Sequence, residues 1–169
     1  MESERLHKLS YFEEMSAPEM EVVAASMRED AWWDGTTIVQ QGDQGGGVYF
    51  LLEGVVRIEH RLKEGEIVQV GRLEPGSVFG LLGVMDGVAR AASCVAQGRV
   101  RCAVMERGDF LDLMNGDTTL ALRFQLSILR CLARDIRSTN TKLAELVSYP
   151  ACEVSFDELV EVFPDAEPG

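Results

Sequence analysis

The residues in this chain best suited to holding a ligand lie between Gly76 and Val95, in the run GSVFGLLGVMDGVARAASCV. One arginine, Arg90, stands there among apolar and small residues. The run reads as a tight turn, a very short helix, a loop and a strand. Backbone N–H groups at a helix start and a single guanidinium can converge on one small anion, and small side chains let a phosphate come close. Arg90 also fits a structural role, capping backbone carbonyls or pairing with Asp86.

Other chemistries are poorly supplied. His7 and His60 are the only histidines, and His60, inside the polar run Glu59-His60-Arg61, reads as a solvent-facing strand residue. Cys94, Cys102, Cys131 and Cys152 form no CxxC pair and show no metal-ligand spacing, so they read as buried or incidental thiols in a reducing compartment. Without a nucleophile–base pair or clustered acids, an enzyme is not expected, nor is a metal site.

The elements that must position this run follow from composition and period. At 169 residues, with 46% apolar and 26% charged side chains, the chain is long enough for one domain with a real core. A net charge of −12 argues against a nucleic-acid footprint but not against one small anion in a locally positive pocket. No apolar run approaches the ~18 residues of a membrane span, so no membrane partner is expected. The opening MESERLHKLS lacks the apolar core of a signal peptide, and a cytoplasmic location is expected.

The first thirty residues have a helical pattern. Leu6, Leu9 and Phe12 recur at helical spacing, and Ser16, Pro18 and Glu19 form a second helix start with a capping box. Met20, Val23, Ala24 and Met27 would be that helix's apolar face. From Trp32 short apolar segments recur: Thr37–Gln40, a segment around Val48–Leu52, Val55–Arg61, Ile67–Leu73, Ala91–Ala96 and Val100–Met105. Between them fall turn signals, among them Gly42-Asp43, Gly45-Gly46-Gly47, Gly54, Pro75-Gly76 and Gln97-Gly98. Many short strands with glycine turns predict an antiparallel sandwich or barrel.

After Gly108-Asp109 the chain is helical again. Leu122, Leu129, Ile136 and Leu143 repeat every seven residues, with Gln125, Leu132, Thr139 and Leu146 at the d positions and Leu126, Ala133 and Val147 at e. Such a seam fits a helix packed only on its own sheet less well than pairing with another helix, here a homodimer, with Leu122, Leu129, Leu132, Ile136, Leu143 and Leu146 at the interface. Thr139 and Asn140 break the seam and would fix its register or reach a ligand. From Pro150 on there are six acidic side chains and no basic one. Ser155 to Glu158 form a capping box, and Phe156, Leu159, Val160 and Phe163 give a short amphipathic helix that must dock on this chain, its mate or a protein partner.

Two stretches resemble cyclic-nucleotide-binding domains, the effector domains of catabolite activators and protein kinase A regulatory subunits. Thr37-Ile38-Val39-Gln40-Gln41-Gly42-Asp43, with Val48, Tyr49, Phe50, Leu51, Gly54 and Val56, is similar to their opening strands. Gly80 to Ser93 is similar to their phosphate-binding cassette, F-G-E-L-A-L-…-G-x-P-R-A-A-T, standing here as F-G-L-L-G-V-M-D-G-V-A-R-A-A-S. The resemblance runs from about residue 6 to 147. It implies a mainly β fold: an antiparallel eight-stranded β-roll (jelly roll) with flanking N-terminal helices over residues 1–116, a long dimerisation helix over 117–147 and an acidic tail over 148–169.

For an active cassette it implies cAMP or cGMP as ligand, with Arg90 on the cyclic phosphate and Gly80, Leu81, Leu82, Ala91, Ala92 and Ser93 around it. Thr139 and Asn140 fall where the family turns two hydroxyl residues toward the purine. The sequence departs from the family at three points. Leu81 replaces the acid that accepts from the ribose 2′-hydroxyl, which would leave that hydroxyl unpaired at a cost of about 1–3 kcal/mol. Ala89 replaces a proline. Nothing after Val147 is large enough for a helix-turn-helix, so DNA binding by this chain itself is not expected. The residues therefore predict a stand-alone regulatory or signalling scaffold with a degenerate pocket. The alternative is a sensor of cAMP, cGMP or another small anion that drives the dimer helix and tail through Arg90.

Overall fold

A computed structural model describes residues 6, 9, 12 and 15–147. In chain order these give α1 (Ala17–Ala25), β1 (Met27–Trp32), β2 (Thr37–Val39), β3 (Gly47–Arg61), β4 (Ile67–Leu73), β5 (Val78–Phe79), α2 (Leu81–Met85), β6 (Ser93–Glu106), α3 (Arg107–Asn115) and α4 (Thr119–Val147). The strands pair antiparallel in the order β1-β6-β3-β4, with β2 on β6 and β5 on β3. This is the antiparallel β architecture with flanking helices that the sequence predicts.

Local chemistry sets α1. The Ser16 backbone N–H and hydroxyl both donate to Glu19 Oε2, at 2.8 and 2.6 Å, so the expected capping box is formed. Met20, Val23 and Ala24 are its buried face. Met27 is not on it. The helix stops at Ala25, and Met27 opens β1, paired with Met105 of β6. Residues 27–32, MREDAW, carry no apolar alternation. Their strand exists because β6 offers six consecutive partners, reinforced by ion pairs of Arg28 with Glu106 and of Arg101 with Glu29.

Two expected turns are not turns. Gly54 and Gln97-Gly98 lie inside the long strands β3 and β6. The β3–β6 register slips between Leu51 and Glu53 and again between Glu53 and Val55, marking bulges around Gly54. There φ is +88°, and an added Cβ would stand 2.2 Å from the Arg99 carbonyl oxygen. Bent at this point, β3 pairs its first half with β5 and the end of β6, and its second half with β4 and the start of β6. Six strands among the described residues thus do work that eight shorter ones would share.

The run Val48 to Leu51 is apolar because both its faces are covered. Phe50 meets Phe12, ring centroids 5.5 Å apart, and Phe12 and Phe110 both pack on Phe124 of α4. On the other face Leu51 joins Val39, Val56, Phe79, Cys94, Ala96, Val100, Cys102 and Val104 in one buried apolar cluster. Leu6, Leu9 and Phe12 are buried.

The chain divides into two units, Met1–Cys131 and Leu132–Gly169. In the first, α4 turns Ala121, Phe124, Ser127, Ile128 and Cys131 inward and leaves Leu122 and Leu129 more than half exposed, with Leu126 also outside. In the second, Ile136, Leu143 and Val147 are exposed, Leu132 is half-buried, and Thr139 and Asn140 face solvent. The Leu146 side chain, Cys152 and the predicted tail helix with Phe156, Leu159, Val160 and Phe163 lie outside the described residues.

Candidate functional site: the Gly80–Ser93 cassette

β5 delivers the chain to the cassette. Tyr49 and Phe79 are register partners on β3 and β5, and their rings stack with centroids 4.9 Å apart. Gly80 then adopts φ +78°, a left-handed conformation that only glycine takes freely, and α2 begins at the next residue. Leu81, Gly83 and Val84 point inward, while Leu82 and Met85 face out. After α2 the Asp86 carboxylate accepts from the Val88 backbone N–H at 2.9 Å and closes the turn. Asp86 is therefore not the partner of Arg90.

Arg90 is held from both ends. Its backbone N–H donates to Asp43 at 2.9 Å and its carbonyl accepts from Gly42 at 2.8 Å, fixing it to the Gly42-Asp43 turn. Its side chain is only 7% exposed. There Nη2 donates to the Gly47 carbonyl at 2.7 Å and Nη1 to the Gly80 carbonyl. Among the described residues no carboxylate pairs with it. A guanidinium that leaves water needs compensating acceptors, and two peptide carbonyls supply them.

Glycine makes the approach possible. A Cβ on Gly80 would lie 2.8 Å from Arg90 Nη1, and one on Gly45 would lie 3.2 Å from Arg90 Cζ and 2.9 Å from the Gly83 carbonyl oxygen. The Gly45-Gly46-Gly47 run is thus one wall of the arginine's cage. As a sequence it signals only a turn.

The other predicted cassette residues are brought together, in different settings. Leu81 is buried at 5% exposure and Leu82 is 64% exposed. Ala91 is exposed; Ala92 and Ser93 are half-buried. The Ser93 hydroxyl accepts from the Gln41 backbone N–H at 3.0 Å and from Gln40 Nε2 at 3.3 Å. An open cleft beside it is lined by Thr37, Gln40, Glu59, Arg61, Ile67, Ser93 and Val95.

His60 lies in a strand as expected, and it also has a partner that the sequence does not show. It is half-buried, and its Nδ1 lies 3.0 Å from the Ala91 carbonyl oxygen, which can only accept, so Nδ1 carries a proton. Arg107 is a second residue that sequence reasoning passes over: its Nη1 donates to the Gly83 carbonyl at 3.2 Å.

Nothing in the cassette is poised as a nucleophile. Burial pushes the Cys94 thiol up to about 11, against the opposing pull of Arg90's charge, and pushes Cys102 up to about 12. Among the described residues no three His, Cys, Asp or Glu side chains converge on a metal site, and no helix is long and apolar enough to cross a membrane.

Residues 32–117, which hold this strand-turn-helix-loop and its arginine, match the family model of the cyclic nucleotide-binding domain. The chain belongs to the cyclic nucleotide-binding domain family. It is 32% identical over 109 residues to a cAMP-dependent protein kinase regulatory subunit of Mucor circinelloides f. lusitanicus, a match spanning 64% of this chain and 25% of that protein. Its fold is similar to that of the Thermus thermophilus catabolite activator protein, with a TM-score of 0.68 and 25% identity over 81% of this chain and 62% of that one. It is similar also to the regulatory domain of Toxoplasma gondii PKA crystallised with cAMP, with a TM-score of 0.63 and 26% identity over 76% of this chain and 48% of that one. The chain therefore spans a quarter of the curated relative's length and under two thirds of these two solved chains.

Proposed function

We propose that this chain is a cytoplasmic regulatory module of the cyclic-nucleotide-binding family whose pocket is degenerate and which works through protein contacts. One observation carries the reading. The arginine that would take a cyclic phosphate is buried on the carbonyls of Gly47 and Gly80, and the neighbouring position of the ribose acid holds a buried leucine, Leu81. A nucleotide would have to displace charge-assisted hydrogen bonds and bury a 2′-hydroxyl beside an apolar side chain. Each of these costs about 1–3 kcal/mol.

The contacts would run through a homodimer along α4. Leu122, Leu129, Ile136 and Leu143 keep the seven-residue repeat and are each more than half exposed, as an unpaired seam would be. The regulatory role itself is inferred from the similarity to protein kinase A regulatory subunits.

A second reading, a sensor of cAMP, cGMP or another small anion, is favoured by the absence of a carboxylate on Arg90 among the described residues. An incoming phosphate would compete there only with neutral carbonyls. Calorimetry with cAMP and cGMP separates the two. For the degenerate module, the native chain gives no heat at millimolar nucleotide, Leu81→Glu binds, and adding Arg90→Ala abolishes that binding. Saturable micromolar binding by the native chain would establish the sensor instead. For the dimer, Leu129→Glu should sediment as a folded monomer; an unchanged dimer refutes the seam.

A further inference from the structure

Two arginines, not one, join the Gly45–Gly47 loop to the cassette. Arg107 is the first residue of α3. Its backbone N–H donates to the Gly46 carbonyl at 3.0 Å and its Nη1 to the Gly83 carbonyl at 3.2 Å. Arg90 makes the neighbouring pair of contacts, to Gly47 and Gly80. Each arginine therefore touches the loop on one side and the cassette on the other. The gap they span is narrow, since a Cβ on Gly45 would lie 2.9 Å from the very carbonyl oxygen that Arg107 engages.

The chemistry at Gly83 explains why an arginine is wanted. α2 has only five residues, so its carbonyls run out of helical N–H partners almost at once. A long cation reaching back from another element satisfies one of them. Among the described residues no carboxylate pairs with Arg107, so its guanidinium is not drawn elsewhere. A Cβ on Gly87 would stand 3.5 Å from its Nη2, so the loop after α2 also passes close.

We infer that Arg107 is a positioning residue for Arg90: a second staple that holds loop, cassette helix and the start of α3 in one piece, so that the cage around Arg90 stays closed when Arg90's own bonds are weakened. Because both staples close the same gap, each masks part of the loss of the other. Their effects are coupled, and coupling of this kind shows as non-additivity. The two staples act in the same way under either functional reading.

The test is amide hydrogen exchange on the full chain, comparing native protein with Arg107→Gln, Arg90→Gln and the double variant. Arg107→Gln should speed exchange about tenfold for the amides of Gly45–Gly47 and Leu82–Gly87 while leaving the β1–β6 ladder unchanged. The double variant should exceed the product of the two single effects by about tenfold or more. Arg107→Lys, which keeps the charge and an N–H donor group but not the planar fork, should recover part of the protection.

If Arg90→Gln does not fold, Gly45→Ala supplies the second lesion, because its methyl group wedges the same gap. Uniform acceleration across the sheet, no acceleration at the cassette, or strictly multiplicative effects would each overturn the inference.

Discussion

On the outer face of the sheet Arg101 reaches Glu29 and, at 3.1 Å, Glu53, tying β6 to β1 and β3, whereas at the cassette Arg90 reaches two peptide carbonyls and no acid. Both arginines bridge segments far apart in sequence. Arg101 does so partly in contact with solvent, most of all at Glu53, and its charge-assisted bonds, chiefly to Glu29, push its pKa above the ordinary value. Arg90 does so out of solvent, where nothing substitutes for a lost donor. The difference teaches that position decides what a guanidinium is worth. A surface pair gains little over hydration, while a buried donor protects acceptors that would otherwise go unsatisfied.

The comparison breaks if Arg90 proves expendable. Arg90→Met removes the donor to Gly47 and Gly80 at once, and even with the relief of no longer burying a charge the loss should be about 3 kcal/mol. For a chain of this size that lowers the melting temperature by roughly 6–12 °C in a thermal scan. A fall of a degree or less would mean that the carbonyl bonds contribute no stability.

Gly80→Ala should rank next. It combines a left-handed backbone with a methyl group 2.8 Å from Arg90 Nη1 and 2.9 Å from the Gly47 carbonyl oxygen, and should cost about 2 kcal/mol. In an Arg90→Met background the clash with Nη1 is removed, and the cost should shrink to the left-handed backbone and the contact with the Gly47 carbonyl oxygen. Equal costs in both backgrounds would show that closeness to Arg90 is not what keeps glycine at position 80.

Arg101→Ala should matter least, moving the melting temperature by about 2 °C or less, and that small effect should fade in 1 M salt. A large, salt-insensitive loss would erase the distinction between the two sites.

Much of this was readable from local pattern. Ser16 and Glu19 announce their capping box three residues apart, and the spacing from Gly80 to Arg90 marks the cassette. The misreadings share one cause, which is that the deciding partner is distant. β1 has no strand pattern of its own and is recruited by β6. Gly54 looks like a turn because glycine marks any positive φ, and only the Arg99 carbonyl across the bulge shows that the chain continues as a strand. His60 reads as a surface residue until Ala91, thirty-one residues on, is placed beside it. Arg90's partners show both cases at once. Gly80 is ten residues away inside the motif, and Gly47 is forty-three away in a run that signals only flexibility.

The carbonyl cage has a consequence for acid. Carboxylates gain protons as the medium is acidified and release the guanidinium groups they hold. Glu19 is such a carboxylate: hydrogen bonds from Ser16 and, less strongly, the charge of Arg123 hold its carboxyl below the usual value, so the stability these contacts add is present near neutral pH and is lost as the pH falls through the lowered pKa. The carbonyls of Gly47 and Gly80 have no such proton to take up. Acidification should therefore loosen the cap of α1 while the arginine of the cassette keeps its grip on its two carbonyls.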